Sequence, residues 1–221
     1  MNDDIFYPQK IAQMVEIYRN NPDVSIVTSM RHNIDETGKV IGHMHLLSDK
    51  SEKLDGKSIG KFIVMYTGND IGEPTTVLIR KKFLRNNDLC WTEDEKGFFS
   101  VVDYSTWLQL LSKGDIYWIN EPLSARRVHA NQGTMQIDIW MQFYINFAKE
   151  VATAWNRKIF LETEEELRKT IIHWLPKAAN ALQRGLLENY NGKEMKIMPK
   201  VITLMTQALY NGYNLKWSKI R

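Results

Sequence analysis

A chain of 221 residues, 43% hydrophobic and 25% charged, is long enough to bury one sizeable core, or one core with a helical appendage. Its net charge of +3 is small and its Lys and Arg are dispersed, which excludes the basic footprint of a nucleic-acid binder yet suits a small polyanion such as a nucleotide diphosphate. The single cysteine, Cys90, excludes an internal disulfide framework. The first residues carry no signal-peptide pattern and no apolar run nears the roughly 20 residues of a membrane span, so the expectation is a cytoplasmic protein without a transmembrane segment.

In chain order, Ile11, Met14, Val15 and Tyr18 follow helical spacing after Pro8, whose missing N–H costs nothing in a first turn, and the helix ends at Asn20-Asn21-Pro22. Val24 to Met30 is short, apolar and rich in β-branched residues, which predicts a buried strand. Asp35-Glu36-Thr37-Gly38 reads as a turn and Val40 to Leu47 as a second extended segment. Ser48 to Lys57 reads as a loop, and Ile59, Phe62, Ile63 and Tyr66 mark a helix. The irregular run from Gly68 to Pro74 feeds a strand over Thr75 to Ile79. A short helix over Tyr104 to Leu111 stops at Lys113-Gly114, and a strand over Ile116 to Ile119 is closed by Asn120-Glu121-Pro122.

From Thr134 onward, Ile139, Phe143, Phe147, Val151 and Ala154 recur every three or four residues, as do apolar positions over Ile171 to Leu187 and Val201 to Tyr210, with Gly192 and Pro199 as punctuation. The expected organisation is therefore an α/β unit over residues 1–133 and an all-helical extension over 134–221. Seven Trp and nine Tyr supply either core packing or stacking surfaces for sugars or bases.

Several residues could carry chemistry. The adjacent carboxylates Asp3 and Asp4 suit a hard divalent cation, which takes oxygen ligands and keeps waters that a diphosphate can replace; the plainer reading is that they cap the following helix. Asp103, at the start of a helix, reads by itself as that helix's N-cap. Glu93, Asp94 and Glu95 read as a solvated charged turn. His43-Met44-His45 puts two imidazoles on alternate positions of a strand without a third ligand, short of an ordinary zinc site.

The order of four segments is more specific than any one of them. Asn2-Asp3-Asp4-Ile5-Phe6-Tyr7-Pro8, with Asp23-Val24-Ser25-Ile26-Val27-Thr28-Ser29 and Ile34-Asp35-Glu36-Thr37-Gly38 behind it, opens the series. Gly68-Asn69-Asp70-Ile71-Gly72-Glu73-Pro74 and Val102-Asp103-Tyr104-Ser105-Thr106-Trp107 follow. Gly114 to Ser124, with Glu121-Pro122-Leu123, then Arg126-Arg127-Val128-His129, closes it. Over residues 2–134 this series resembles bacterial family-2 glycosyltransferases of GT-A type, from their acidic metal motif onward.

The resemblance implies a partial GT-A sheet with helices and a metal-dependent, inverting transfer of a sugar from a nucleotide-sugar donor to a hydroxyl of a carbohydrate acceptor, in cell-surface polysaccharide or glycoconjugate synthesis. It implies Asp3 and Asp4 as residues for Mn²⁺ or Mg²⁺, and Asp103 as the catalytic base. It puts Gly72, Glu73, Pro74 and Trp107 on the acceptor side, and Arg126, Arg127 and His129 near the diphosphate. Val102 departs from the family, which often carries an acidic residue there, so the base rests on Asp103 alone.

The family's nucleotide-binding strands have no counterpart before Asp3. Little or no transferase activity is therefore expected of the chain by itself, and the strand over Val24 to Ser29 is expected to lack neighbours, its edge covered by a second copy or an N-terminal partner. The alternative is a non-catalytic remnant serving as a carbohydrate-binding or scaffold domain.

Overall fold

Two long strands organise the sheet because their sequences allow burial on both faces. β2 (Val24–Ile34) runs through the apolar, β-branched stretch and continues past it, with its first six residues all buried. β6 (Asp115–Arg127) lies parallel to it, in register from Val24 opposite Asp115 to Ile34 opposite Arg127. The computed structural model of the chain describes residues 3–43, 47–84, 102–129, 136–210 and Leu215. The expectations on Met44, His45, Cys90 and Glu93 to Glu95 lie outside the described residues.

Each long strand is flanked on its outer side by two short antiparallel strands. β5 (Val77–Ile79) and β3 (Val40–His43) pair with β2, while β4 (Glu52–Leu54) and β1 (Ile5–Phe6) pair with β6. Among the described residues the result is a mixed six-stranded sheet in an α/β fold. The expectation that Val24 to Ser29 lacks neighbours is corrected: Ile26, for example, pairs with both Ile79 and Ile116. The outer strands have two to four residues each, too short to offer a long pairing template.

Two elements differ from the sequence reading. Ser48 to Lys57 was expected to be loop throughout, yet Glu52–Leu54 pairs with Trp118 to Ile116; nothing in its polar side chains announces a strand, and the pairing comes from the neighbouring edge. The second difference is that β6 does not stop at Pro122. The proline pairs with Met30 where the register slips on both sides, an irregularity that accommodates a residue with no N–H to donate.

α1 (Lys10–Asn20) lays Met14 and Ile17 on a cluster formed by Val24, Val27, Ile119 and Leu123. α2 (Gly56–Tyr66) starts where only glycine fits, since a Cβ on Gly56 would lie 2.1 Å from the Gly114 carbonyl oxygen. α3 (Val102–Leu111) is buried from Tyr104 to its end.

By internal packing the chain divides into two units. The first comprises Met1–Gly60, Asn69–Trp91 and Asp103–Ala130, and contains the sheet. The second comprises Lys61–Gly68, Thr92–Val102 and Asn131–Arg221. Its described residues include α4 (Ile137–Arg157), α5 (Glu164–Leu187) and α6 (Glu194–Tyr210). The three bury Ile145, Ala148 and Val151, then Leu167, Ile171, Trp174 and Ala178, then Met198, Val201 and Met205, at helical spacing. Pro199 was expected to interrupt this region but lies inside α6. No helix of the described residues is long and apolar enough to cross a membrane.

The start of α5 carries a charge device. Thr163 and Glu166 form a reciprocal capping box, and Lys61 reaches the Glu166 carboxylate. Burial pushes the Glu166 carboxyl up, but the Lys61 bond and the N–H groups of Glu162 and Thr163 outweigh it and bring it down to about 2. A group depressed in the folded state contributes stability above its unfolded pKa and loses it as the pH falls through the folded value. Acid unfolding between about pH 4.5 and 2 should therefore cost on the order of 2–3 kcal/mol from this group. Glu166→Gln is expected to be less stable near neutral pH and to show a flatter midpoint-against-pH curve across that window; thermal melts at stepped pH measure it.

Candidate functional site

The carboxyl ends of β2 and β6, the segment before β1, the loop over residues 69–76 and the first turn of α3 all belong to the first unit and meet through side chains. The carboxyl ends of neighbouring parallel strands are where open α/β sheets hold ligands.

At the N-terminal corner, Asp3 Oδ2 lies 3.1 Å from His129 Nε2, and the Arg127 Nε donates to the Asp3 backbone carbonyl at 3.3 Å. A hydrogen bond from its own backbone, ahead of the His129 contact, holds the Asp3 carboxyl below the usual range. Asp4 is fully engaged: Oδ2 accepts from the Thr75 hydroxyl and Oδ1 from the Arg127 backbone N–H. Neither carboxylate caps α1, whose N-cap is Gln9 without a side-chain bond, so the plainer reading of the pair fails.

At the other corner, Asp103 is half-buried in the first turn of α3, with Oδ1 accepting from the Tyr104 N–H at 2.8 Å. Burial pushes its carboxyl up; the Tyr104 bond opposes this, and the negative charge of Glu73 adds to it. Asn69 Nδ2 approaches Asp103 Oδ2 at 3.4 Å while its amide also brackets Gly72, donating to the carbonyl and accepting from the N–H, both at 3.3 Å.

The loop joining the corners is held from beneath. Lys10, fully buried, donates through Nζ to the Thr76 carbonyl at 2.7 Å, and burial brings its ammonium down to about 8. Thr28 donates to Ile71 O at 2.8 Å, and Trp107 donates through Nε1 to Gly72 O at 3.0 Å. Gly72 has φ +105°, and a Cβ there would lie 2.4 Å from Thr76 Oγ1, itself bonded to the carbonyls of Glu73 and Ile71. Gly72→Ala should therefore cost about 1–3 kcal/mol in urea unfolding. Pro74 is exposed at the loop's turn.

Three expected ligand-facing residues do other work. Trp107 is 3% exposed, so it cannot present a stacking face to a sugar; it holds the loop from behind. Glu73 is only partly exposed and its carboxylate is held by two arginines: Arg31 grips it bidentately at 2.6 and 2.7 Å, and Arg126 Nη1 lies 3.3 Å from Oε1. The Arg127 guanidinium is spent on backbone carbonyls, those of Asp35 at 2.8 Å and Glu36 at 2.9 Å besides Asp3, so it closes the turn between β2 and β3 instead of meeting a diphosphate.

Sequence reasoning missed Arg31, Asn33, Asn69 and Thr75. Arg31 also donates to Asn33 Oδ1. The one available signal was Arg31 itself, a cation interrupting an otherwise buried apolar strand.

A hard cation fits this corner through Asp3, because such ions bind by one or two carboxylates and complete their shell with water and phosphate oxygens. Asp4 can join only by sharing oxygens already bonded. Among the described residues, no three His, Cys, Asp or Glu side chains group into a site that would hold an ion unaided. No protein-family model matches the chain, and no curated protein matches its sequence.

Proposed function

We propose that this chain is the acceptor-side, catalytic-base half of a GT-A-type glycosyltransferase that moves a sugar from a nucleotide-sugar to a hydroxyl with inversion. The observation that carries the reading is the loop over residues 69–76: Thr75 bonds Asp4 at one end and Asn69 approaches Asp103 at the other, so both acidic corners border one loop.

In this reading Asp103 accepts the proton of the acceptor hydroxyl as that oxygen attacks the anomeric carbon and the bond to the diphosphate breaks. Burial and the neighbouring Glu73 charge make it a stronger base than a free aspartate, and Tyr104 N–H aims its other oxygen. Asp3, beside His129, would hold Mn²⁺ or Mg²⁺ with the donor's phosphate oxygens. A bound ion would supply neutralisation of the departing diphosphate. Glu73, locked between Arg31 and Arg126, keeps the loop rigid beneath the acceptor. The helices of the second unit would form the helical extension expected from the apolar periodicity after Thr134.

A carbohydrate-binding module without chemistry would need aromatic rings on an open face. Trp107, Trp118 and Trp174 are at most 3% exposed and supply no such face, whereas Phe6, Phe62, Tyr66 and Trp140 are exposed, so the two readings are separated by assay. The test is released nucleoside diphosphate from a panel of nucleotide-sugars and glycan acceptors, using this chain together with nucleotide-binding strands. Dependence of turnover on Mn²⁺ or Mg²⁺ and on Asp3 supports the proposal; metal-independent turnover unaffected by Asp3→Asn contradicts it.

A further inference from the structure

A second cluster of ligating side chains lies on the other side of the sheet. Residues directly opposite one another in paired strands share a face, and successive residues alternate. Arg31, Asn33 and Arg126 therefore point to one face, with Arg31 opposite Ser124 and Asn33 opposite Arg126. His32 points to the reverse face, in a continuous row with its partners Ala125 on β6 and His43 on β3, and with Ile5 of β1 beyond Ala125.

The two imidazoles are in contact, with ring centroids 5.0 Å apart and planes tilted by 53°. Two histidines sharing a tetrahedral ion, each with nitrogen at about 2.0–2.1 Å from the metal, have centroids about 5 Å apart. Tyr7, two residues beyond Ile5 and so on the same face, places its hydroxyl 2.6 Å from His32 Nδ1. That contact engages Nδ1 and leaves Nε2 as the remaining nitrogen of the His32 ring. A metal-ligating histidine is held in this way, by an oxygen partner on the nitrogen that does not bind the ion.

Among the described residues, His32 Nε2 and the His43 ring have no hydrogen-bond partner. His43 is exposed and His32 half-buried, so the pair is open to solvent on one side. Burial and the proximity of His43 also keep His32 below its usual pKa, which favours the neutral, ligating form.

We propose that His32 and His43, oriented by Tyr7, form a two-histidine chelate for a borderline divalent ion of the Zn²⁺, Cu²⁺ or Ni²⁺ class, with water completing the shell. Imidazole ligands select these ions over Mg²⁺ and Mn²⁺, which prefer oxygen. The site uses none of the residues of the transferase reading. An ion there ties the short edge strand β3 to β2 by a bond across their pairing, and so braces the carboxyl end of β2 from which Arg31 and Asn33 reach the opposite face.

Zn²⁺ titrated calorimetrically into the full chain tests this. The expected result is one equivalent whose affinity falls by at least about tenfold in His32→Gln and in His43→Gln, and by about tenfold in Tyr7→Phe, while His129→Gln leaves it unchanged. His43 is exposed, so His43→Gln should keep the metal-free circular dichroism spectrum and melting midpoint of the parent. The proposal is overturned by no heat of binding up to about 1 mM Zn²⁺, by a His43→Gln isotherm indistinguishable from the parent, or by loss of the site in His129→Gln.

Discussion

Asp103→Asn should lower the rate of sugar transfer by about 10²–10⁴-fold while leaving the donor KM within a few-fold of the parent. Asparagine retains an oxygen to accept the Tyr104 N–H at the Asp103 position, so the first turn of α3 should stand. It cannot take a proton from an attacking hydroxyl. A loss confined to kcat, with the fold and donor affinity intact, separates a base from a structural cap. Stopped assays of nucleoside diphosphate release under saturating donor measure it, and retention of most activity would remove Asp103 from the chemistry.

Glu73→Gln is expected to do two things that only its position between the arginines and Asp103 links. Arg31 has a side chain only 9% exposed and is bonded by Glu73 at both of its paired nitrogens. With the carboxylate neutralised, its charge is left with Asn33 and one amide oxygen, at a cost of about 2–4 kcal/mol in chemical denaturation. The same substitution removes a negative charge that helps hold the Asp103 carboxyl up, after burial, which is the larger cause. In the proposed mechanism transfer needs Asp103 ionised, so activity should rise with pH through its pKa. In Glu73→Gln that acid limb should move to lower pH. A pH–rate profile that stays fixed while stability falls would mean Glu73 and Asp103 are electrically independent.

The parts of the fold visible in the sequence are those governed by local pattern. Helical spacing from Ile11 to Tyr18, the β-branched run from Val24 and the apolar stripe of Ile139, Phe143, Phe147, Val151 and Ala154 all lead to the elements found. What was not visible depends on partners far along the chain. Glu52–Leu54 is a strand because Trp118 to Ile116 stand beside it, and β6 passes Pro122 because Met30 lies opposite a slip in register.

The candidate site divides in the same way. Asp3, Asp4, Asp103 and His129 were readable in the sequence as candidates, by residue type and order. Which of them are already satisfied by the protein was not. Asp4 is bonded by Thr75, 71 residues away, and Glu73 by Arg31, 42 residues away. Trp107 shows the same limit from the other side. An indole in an acidic, helical motif looks like a sugar platform until Gly72 O is found on its N–H and the core around it.

Paramagnetic broadening by Mn²⁺ bound with a nucleoside diphosphate tests most directly whether the two acidic corners share one cleft. Amide resonances of His129, Thr75, Asn69 and Tyr104 should broaden together, and all should recover in Asp3→Asn. Broadening that reaches His129 but leaves Asn69 and Tyr104 sharp, or that persists in Asp3→Asn, would separate the ion from the proton acceptor and contradict the account.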